Sequence, residues 1–572
     1  MRIVRFLPHN VYRRKLSFLA YAAALLCCIN YGCGIIAHAI PDVRKNIVMV
    51  NAKGKPVDPT GNFDCNRPQE GQEGWCNGLH SSLSDYEEIS EDLYAQHLKE
   101  MTNDIAFRIP QTGSIKKVLI FVHGGMNTQA GTIERTARSH GAIEEEGYYP
   151  IFINWQSSFL ASYKNHLLHI RQGEYWGESP QGSVWGLLTS PFYLIGDIAR
   201  SIARAPVVIG LMVRSDIQSD PTLRPIYGEN YRIAKEIALS RFCDYDRQAH
   251  DKEFTKDEDK CPPQISPVPS TIPIWLGDDR RGLADMLVAG GKYILTFPSK
   301  LAISPILDAG GTSSWESMLR ARSMLFQIER DCKLESDGTI RSDCKTALDD
   351  AREAKLMPLC SIPEVRQHGA ILQLMQQLRF LKDCKGVKFD ITLVGHSMGT
   401  IVVNEIIRRF DDLPINRIIY MAAATSIHDY EDSIFPYLQK KKNDPNVKFY
   451  HLILHSVSEV REAWDEYTLG IDLPPRGSLL VWIDNFLANP MDPQDRTVGR
   501  FVNLMLALHH TPSEIAKKIH VKGFRVGDPS ESPLKHSHFT YPFHFWESKC
   551  WEPQYDSVVF RECMKPREAL KP

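Results

Sequence analysis

The sequence predicts an α/β protein built on a parallel sheet. Three short apolar runs rich in β-branched residues, 116–122, 149–155 and 389–394, are typical of buried strands. The first and third runs end in glycine-containing turns, and stretches with helical periodicity follow at 132–146 and 400–410. Strands that alternate with helices along a chain form βα units, and βα units build parallel sheets.

Length and composition describe a large, packed protein. The chain has 572 residues, where a domain takes about 150. Its 43% hydrophobic and 24% charged residues are typical of globular proteins and exclude a disordered chain. Lys and Arg number 67 against 69 Asp and Glu, so net charge predicts no nucleic-acid partner. No P-loop, dinucleotide fingerprint or HExxH motif occurs, and we therefore expect no cofactor and no metal.

The first 39 residues predict export. Five basic residues within positions 2–15 precede 25 uncharged residues, 16–40. Cleavage after Ala37-His38-Ala39 would make this segment a signal peptide, and without cleavage it is long enough to be a membrane anchor. Lipidation at Cys33 is a third alternative. In each case the basic residues stay in the cytoplasm, and the chain from residue 40 onward is exported to the cell envelope or secreted. The exported part begins with an N-terminal region, 40–110.

The cysteines fit an exported protein. Three of the 13 lie in the leader, which leaves ten, an even number. They occur as close neighbours and predict local disulfides: Cys65 and Cys76, Cys243 and Cys261, Cys332 and Cys344, Cys360 and Cys384, and Cys550 and Cys563. A zinc site is the alternative, but no C-x-x-C pair occurs. No Asn-x-Ser/Thr acceptor occurs either, which favours a bacterial envelope protein, periplasmic or anchored and facing outward.

The third strand leads into a motif with a steric meaning. Gly395-His396-Ser397-Met398-Gly399 lies between this strand and a helical stretch. A serine on so sharp a turn is held in a strained conformation, and the residues two before and two after it must be nearly bare for strand and helix to approach. Glycine occupies both positions. An incidental serine in a glycine turn is the alternative interpretation.

Together with His123-Gly124-Gly125 after the first strand, this motif resembles the α/β-hydrolase superfamily. The resemblance covers 111–155 and 389–572 and implies a doubly wound, mostly parallel sheet. It also implies that Ser397 attacks an acyl carbonyl. The backbone N–H of Met398 and that of Gly124 or Gly125 would then stabilise the oxyanion.

The chain order of that family, Ser then Asp or Glu then His, directs the search for the other catalytic residues. A last strand at 519–526 precedes His536 and His538, and we favour His536 as the base. A surface histidine or an H-x-H metal pair is the alternative, and His509 and His510 are interpreted as structural. For the acid we favour Glu459, which follows the penultimate strand, 447–455. The rival carboxylates are Asp429, Asp484 and Asp495.

A long insertion separates the second and third strands. Residues 156–388 exceed what one helix and its loops require and predict a mainly helical inserted lid domain. Its amphipathic stretch has Leu194, Ile195, Ile198 and Ile202 on one side and charged residues on the other, with Pro206 expected to end the helix. We expect the apolar side to pack on the core. The alternative is a membrane-surface element.

The sequence therefore predicts an exported serine hydrolase, similar to a carboxylesterase or lipase, that cleaves an ester, thioester or lipid acyl bond through an acyl-enzyme. The same site would also suit an acyltransferase. A hydrolase fold without catalysis, serving as a binding or scaffold module, is the alternative from another functional class. Expected partners are a small-molecule or lipid acyl substrate and a membrane reached through the N-terminal segment or the lid helix.

Overall fold

The computed structural model describes residues 41–59, 88–107, 116–127, 129–171, 174–175, 180–219, 272, 274–276, 283–326, 369–464, 473–524, 526, 529–552 and 561–565. The predicted leader, 1–39, lies outside these residues. So do seven of the ten cysteines of the predicted disulfide pairs; the exceptions are Cys384, Cys550 and Cys563.

Eight parallel strands form one sheet, which confirms the α/β class. Their order across the sheet is β1-β3-β2-β7-β8-β9-β10-β6, and every neighbouring pair is parallel. A two-stranded antiparallel ribbon, β4 with β5, lies apart from it. The strands are β1 (Ile47–Val50), β2 (Lys116–Val122), β3 (Tyr148–Trp155), β4 (Ile170–Arg171), β5 (Glu174–Tyr175), β6 (Ile274–Leu276), β7 (Phe389–His396), β8 (Ile415–Met421), β9 (Lys448–Ile453) and β10 (Ile519–Gly523).

Helices connect most of these strands. Those of the described residues are α1 (Pro41–Arg44), α2 (Glu91–Phe107), α3 (Gln129–Glu145), α4 (Phe159–Leu168), α5 (Pro180–Ser219), α6 (Leu283–Met324), α7 (Ala370–Asp383), α8 (Gly399–Arg409), α9 (Ile427–Lys440), α10 (Ser456–Arg461), α11 (Leu479–Trp482), α12 (Phe501–His509), α13 (Ser513–Ala516) and α14 (Ser548–Trp551). A π-helical turn, Ile483–Leu487, continues α11, and His536–Phe539 is a 3₁₀ turn.

The strand order reverses between β2 and β7, and this reversal positions the site. From β2 the chain continues to β3 on one side, and from β7 it continues to β8 on the other. In open parallel sheets such a switch point leaves a crevice at the carboxyl ends of the two strands, where ligands bind. Both glycine-containing turns of the sequence leave the sheet there, since one follows β2 and the other includes the end of β7.

Both edges of the sheet come from segments that the sequence did not assign to it. The strand β1, from the N-terminal region, pairs with β3. The strand β6, from within the insertion, pairs with β10. Each is three or four residues long, too short for periodicity to indicate a strand. The core sheet is therefore completed by residues from 40–110 and from 156–388.

The described part of the insertion is mainly helical, but its helix α5 differs from the expectation in two ways. The helix α5 continues through Pro206 to Ser219, so the prediction that Pro206 ends it is wrong. The helix also contains Pro191, and there the hydroxyl of Ser190 donates to the Leu187 carbonyl (2.9 Å) that the proline leaves without its usual donor. The side of α5 carrying Ile195 and Ile202 faces outward, with 63% and 67% of their surface exposed, rather than packing on the core.

Elsewhere the core forms as its periodicity predicts. The stripe Ile371, Leu374, Met375, Leu378 and Leu381 is buried on α7. The predicted Cys550–Cys563 disulfide is present, and Cys384 is also disulfide-bonded. Among the described helices, none is both long enough and apolar enough to cross a membrane.

Candidate active site

The serine turn has the geometry that its two glycines predict. Ser397 has a φ of 51°, in the left-handed region that non-glycine residues rarely adopt. A Cβ at Gly395 would lie 3.0 Å from Thr400 Cα, in the first turn of α8. A Cβ at Gly399 would collide with the carbonyl oxygen of Val122 and lie 2.7 Å from that of His123. Strand, helix and the neighbouring loop can approach only because both positions lack a side chain.

Backbone hydrogen bonds fix Ser397, whereas its hydroxyl has no partner. The N–H of Ser397 donates to the carbonyl of Met421 (2.9 Å), and its carbonyl accepts from the N–H groups of Thr400 (3.1 Å) and Ala424 (3.0 Å). Its side chain is fully buried, and in the described part of the chain Oγ forms no hydrogen bond. A buried hydroxyl without a partner costs about 1–3 kcal/mol, which a purely structural serine would avoid.

The glycine loop after β2 lies directly against this serine. A Cβ at Gly124 would lie 2.6 Å from Ser397 Cβ, and a Cβ at Gly125 would lie 2.9 Å from Met398 Sδ. Among the described residues, the N–H groups of Gly124, Gly125 and Met398 donate to no backbone carbonyl. The structure thus brings together all three predicted oxyanion donors beside Ser397, with their N–H groups available.

His123 holds the glycine loop in place. Its Nε2 accepts from the backbone N–H of Trp155 (3.1 Å), so its Nδ1 carries the proton and donates to the Gly124 carbonyl (2.6 Å). Burial lowers the pKa of His123 to about 3, which keeps the ring neutral. The Asn127 amide also donates to the carbonyls of Gly124 (2.8 Å) and Gly125 (3.0 Å). These bonds occupy the carbonyl oxygens of the loop and hold it beside Ser397.

His536 lies beside the serine turn. It is 5% exposed, and its ring centroid is 4.8 Å from that of His396, the residue before Ser397. The Nε2–H of His396 donates to the His536 carbonyl (3.1 Å) and ties the histidine loop to the turn. Neither ring nitrogen of His536 has a hydrogen-bond partner among the described residues, so the ring does not yet bond the Ser397 hydroxyl. Burial lowers the pKa of His536 to about 3, so its ring is neutral.

The rival histidine is placed differently. His538 Nδ1 accepts a long hydrogen bond from the backbone N–H of Leu534 (3.4 Å) within its own loop. His509 and His510 lie at the end of α12, where His510 contacts Glu431 on α9 (2.9 Å). Of these histidines, His536 is the one whose ring is shown in contact with the serine turn, at 47° to the ring of His396.

The predicted acid, Glu459, is buried near the site but is not joined to His536. Its Oε1 has no hydrogen-bond partner among the described residues. Burial, partly offset by the charge of Arg500, raises the pKa of Glu459 to about 8, so the carboxyl is mostly protonated at neutral pH. A protonated carboxyl cannot stabilise an imidazolium by charge. The assignment of Glu459 stays a prediction.

Glu462 is a residue that the sequence reasoning missed. Its Oε2 accepts from the backbone N–H of His536 (2.9 Å), so this carboxylate holds the histidine loop. It lies three residues after Glu459, next to the end of α10, and residues three apart on a helix share a face. This spacing could have indicated that Glu462 lies on the same side of α10 as Glu459.

The other rival carboxylates have structural partners. Asp429 accepts from Asn404 (2.6 Å) and Arg408 (2.6 Å) on α8. Asp484 accepts from Arg500 (2.8 Å), from Asn503 and from the N–H of Thr497. Asp495 forms a capping box with Asp492 at an exposed turn. The described residues that could serve as metal ligands form no cluster of three.

The insertion reaches the site through α6. A Cβ at Gly125 would lie 3.6 Å from Met318 Sδ, near the carboxyl end of that helix. The helix α6 also packs on the π-helical turn, where a Cβ added at Gly311 would collide with the side chain of Leu487. With Ser397 fully buried, the site in this structure is covered, and substrate needs an opening to reach it.

Comparisons of the chain with protein-family models, with curated proteins and with solved structures found no match.

Proposed function

We propose that the protein is a serine hydrolase with an α/β-hydrolase fold that cleaves an ester, thioester or lipid acyl bond. The observation that carries the proposal is the strained, buried and unpartnered Ser397 hydroxyl at the switch point of the sheet. Strain and an unsatisfied hydroxyl are both costly, and they persist at sites where they serve chemistry. The neighbouring N–H groups and neutral imidazole are what acyl transfer needs.

The proposed reaction begins when the Ser397 oxygen attacks the substrate carbonyl carbon while His536 takes the hydroxyl proton. The N–H groups of Met398 and of Gly124 or Gly125 stabilise the oxyanion. As the tetrahedral intermediate collapses, His536 gives the proton to the leaving group, and an acyl-enzyme remains. Water, activated by the same histidine, then releases the acid and restores Ser397. A neutral His536 is the form that can act as base.

Apo structures often lack the serine–histidine hydrogen bond, which tightens when substrate binds. We propose that the opening of the covered site brings the Ser397 hydroxyl and a His536 ring nitrogen into contact. The same site would serve an acyltransferase if another acceptor replaced water. The exported location expected from the N-terminal sequence, at the cell envelope, remains part of this proposal.

Labelling with a fluorophosphonate probe tests the proposal. We expect a covalent adduct on the folded full-length chain that Ser397→Ala abolishes and that Ser139→Ala, which changes a buried serine on α3, leaves intact. Absence of label on folded protein, with no hydrolysis of short p-nitrophenyl esters, would reject the enzyme and favour the binding or scaffold alternative.

Paired variants test the base and the acid. His536→Gln is expected to lower kcat at least about a hundredfold, whereas His538→Gln should leave kcat within a few-fold. Glu459→Gln and Glu462→Gln form the second pair. A larger loss of kcat in Glu462→Gln than in Glu459→Gln would assign the role of catalytic acid residue to Glu462 instead of Glu459.

A further inference from the structure

The helix α5 has its polar and apolar faces reversed relative to a helix on a water-exposed surface. Sixteen residues between 184 and 210 are exposed, and every one is aliphatic, aromatic, glycine or proline. We call these exposed residues the α5 outer face. Its largest side chains are well exposed, with Phe192 at 74% and Trp185 at 61%. A surface helix in water carries charged and polar residues on this side.

The polar residues of α5 lie on the opposite side, against the protein. Asp197 is 5% exposed and accepts hydrogen bonds from Tyr163 (3.2 Å) and His166 (3.1 Å) on α4 and from Ser313 (2.8 Å) on α6. Burial alone would raise the pKa of Asp197, but these hydrogen bonds and the charge of Arg200 hold it below its ordinary value. The carboxylate is thus charged and fully engaged inside the helical insertion.

The facing helix α6 repeats the reversal over residues 298–308. There Lys300, Ser304 and Asp308 are buried, whereas Pro298, Ala302 and Ile306 are exposed, with Ile306 at 69%. Arg204 of α5 and Asp308 of α6 form an ion pair (2.7 Å) between the two helices. Polar side chains inside and apolar side chains outside is the arrangement of helices whose exterior contacts lipid.

We propose that the α5 outer face docks on a phospholipid bilayer, inserted at the boundary between headgroups and acyl chains. The face extends over 26 residue steps, roughly 39 Å at 1.5 Å per residue. A protein partner would require a polar rim that supplies about one hydrogen bond per 100–200 Å². The half-exposed polar side chains that border the face, Thr189, Ser190 and Arg200, already bond to carbonyls of α5 or to groups of α6. Because the other side of α5 packs on α4 and α6, only one side is available to lipid, which fits a helix lying in the membrane surface.

Two further features agree with this occupant. The face carries Trp185 and Phe192, and aromatic residues favour the membrane interface. The chain also begins with a basic and then uncharged sequence, 1–40, that predicts delivery to a membrane. The docking surface does not rest on the proposed function.

Photo-crosslinking tests the surface directly. Phe192 is replaced by p-benzoylphenylalanine in the full-length chain, and the protein is irradiated with phosphatidylcholine vesicles containing a biotinylated phospholipid. The matched control places the same amino acid at Phe107, which is 76% exposed on α2, outside the face. Both proteins carry the same N-terminal segment and reach the vesicles equally. We expect a lipid adduct at position 192 in at least tenfold excess over position 107.

Each alternative occupant gives a different product. A covalent dimer at position 192 without lipid adduct would overturn the proposal in favour of a second copy of this chain. A crosslink to a peptide of the same chain would overturn it in favour of a covering segment. Adding Ile195→Glu should lower the yield of lipid adduct roughly tenfold, because burial of one apolar side chain in lipid changes affinity by about that factor. The control Met491→Glu, at an exposed residue outside the face, should leave the yield unchanged. Ser397→Ala should leave all crosslinks unchanged, so this test and that of the hydrolase fail independently.

Discussion

Acidification between pH 7 and pH 5 should destabilise this protein steeply, because four of its histidines are buried where burial disfavours the protonated ring. His123, His396, His451 and His536 are at most 5% exposed. Burial lowers the pKa of His123, His451 and His536 to about 3, and burial together with the neighbouring His536 lowers that of His396 well below 6.5. In the unfolded chain each would titrate near 6.5.

The sign and size follow from proton linkage. A pKa depressed by folding contributes stability that is present above about pH 6.5 and is lost as the pH falls toward the folded pKa. At pH 5.5 unfolding lets each of the four histidines take up about 0.9 proton. Glu459 has the opposite sign, because its pKa is raised to about 8 by burial, and it releases about 0.9 proton on unfolding. The net uptake of these five groups is about 2.7 protons, which corresponds to about 4 kcal/mol of lost stability per pH unit. Burial also raises the pKa of Asp308, which acts in the same direction as Glu459.

The assay is a pH-stat titration of the acid needed to hold pH 5.5 while the protein unfolds in urea. It counts protons and needs no two-state assumption, which matters in a chain of 572 residues. A net uptake below about one proton per chain would refute the reasoning. The less deeply buried His520 and His97, whose pKa values burial also lowers, can only add to the uptake.

One variant isolates a single histidine. Both ring nitrogens of His451 lack hydrogen-bond partners among the described residues, and its ring packs edge-on against Tyr420 and Phe449. His451→Phe should therefore reduce the uptake at pH 5.5 by about 0.9 proton and raise the free energy of unfolding at that pH. The matched control is His428→Gln, which replaces a histidine whose side chain is 63% exposed and lies outside the core.

Three further outcomes are expected. Gly399→Ala should destabilise the fold by about 2 kcal/mol or more, because its Cβ would collide with the carbonyl oxygen of Val122. Gly196→Ala on α5 has open space around it and should stabilise the fold by about 0.5–1 kcal/mol. Thermal melts of the two variants test both expectations. Asn127→Leu should lower kcat about a hundredfold with little change in KM in ester hydrolysis, because the glycine loop loses its two amide hydrogen bonds. Cys550→Ala should cost about 2–4 kcal/mol of stability in urea unfolding, and equal unfolding of oxidised and reduced wild type would contradict this.

The sequence predicted those parts of the fold that depend on neighbouring residues. Periodicity located β2 to the residue and β3, β7 and α8 to within about two residues, because long apolar runs have few alternatives in a packed core. The geometry of the Ser397 turn also followed from its two glycines. The edge strands β1 and β6 were missed because three or four residues carry too little pattern.

Other outcomes depended on contacts that sequence spacing does not encode. The amphipathic pattern of α5 was recognised, but which of its sides would face the protein was predicted wrongly. Asp197 is satisfied inside by groups from α4 and α6, and these partners lie 31 to 116 residues away. Glu462 was overlooked for the same reason, since its partner, the backbone of His536, is 74 residues further along the chain.

The sequence by itself determined the α/β class, the serine turn with its two obligatory glycines, and the glycine loop after β2. Each of these is set by local sterics and by the burial of a few adjacent side chains. Only the tertiary structure decided that the glycine loop lies against Ser397, that the ring of His536 contacts the serine turn, and that the apolar side of α5 faces outward. The reason is physical: side chains brought together by the sheet compete for the same buried positions and hydrogen-bond partners, and that competition is resolved only when the whole chain has packed.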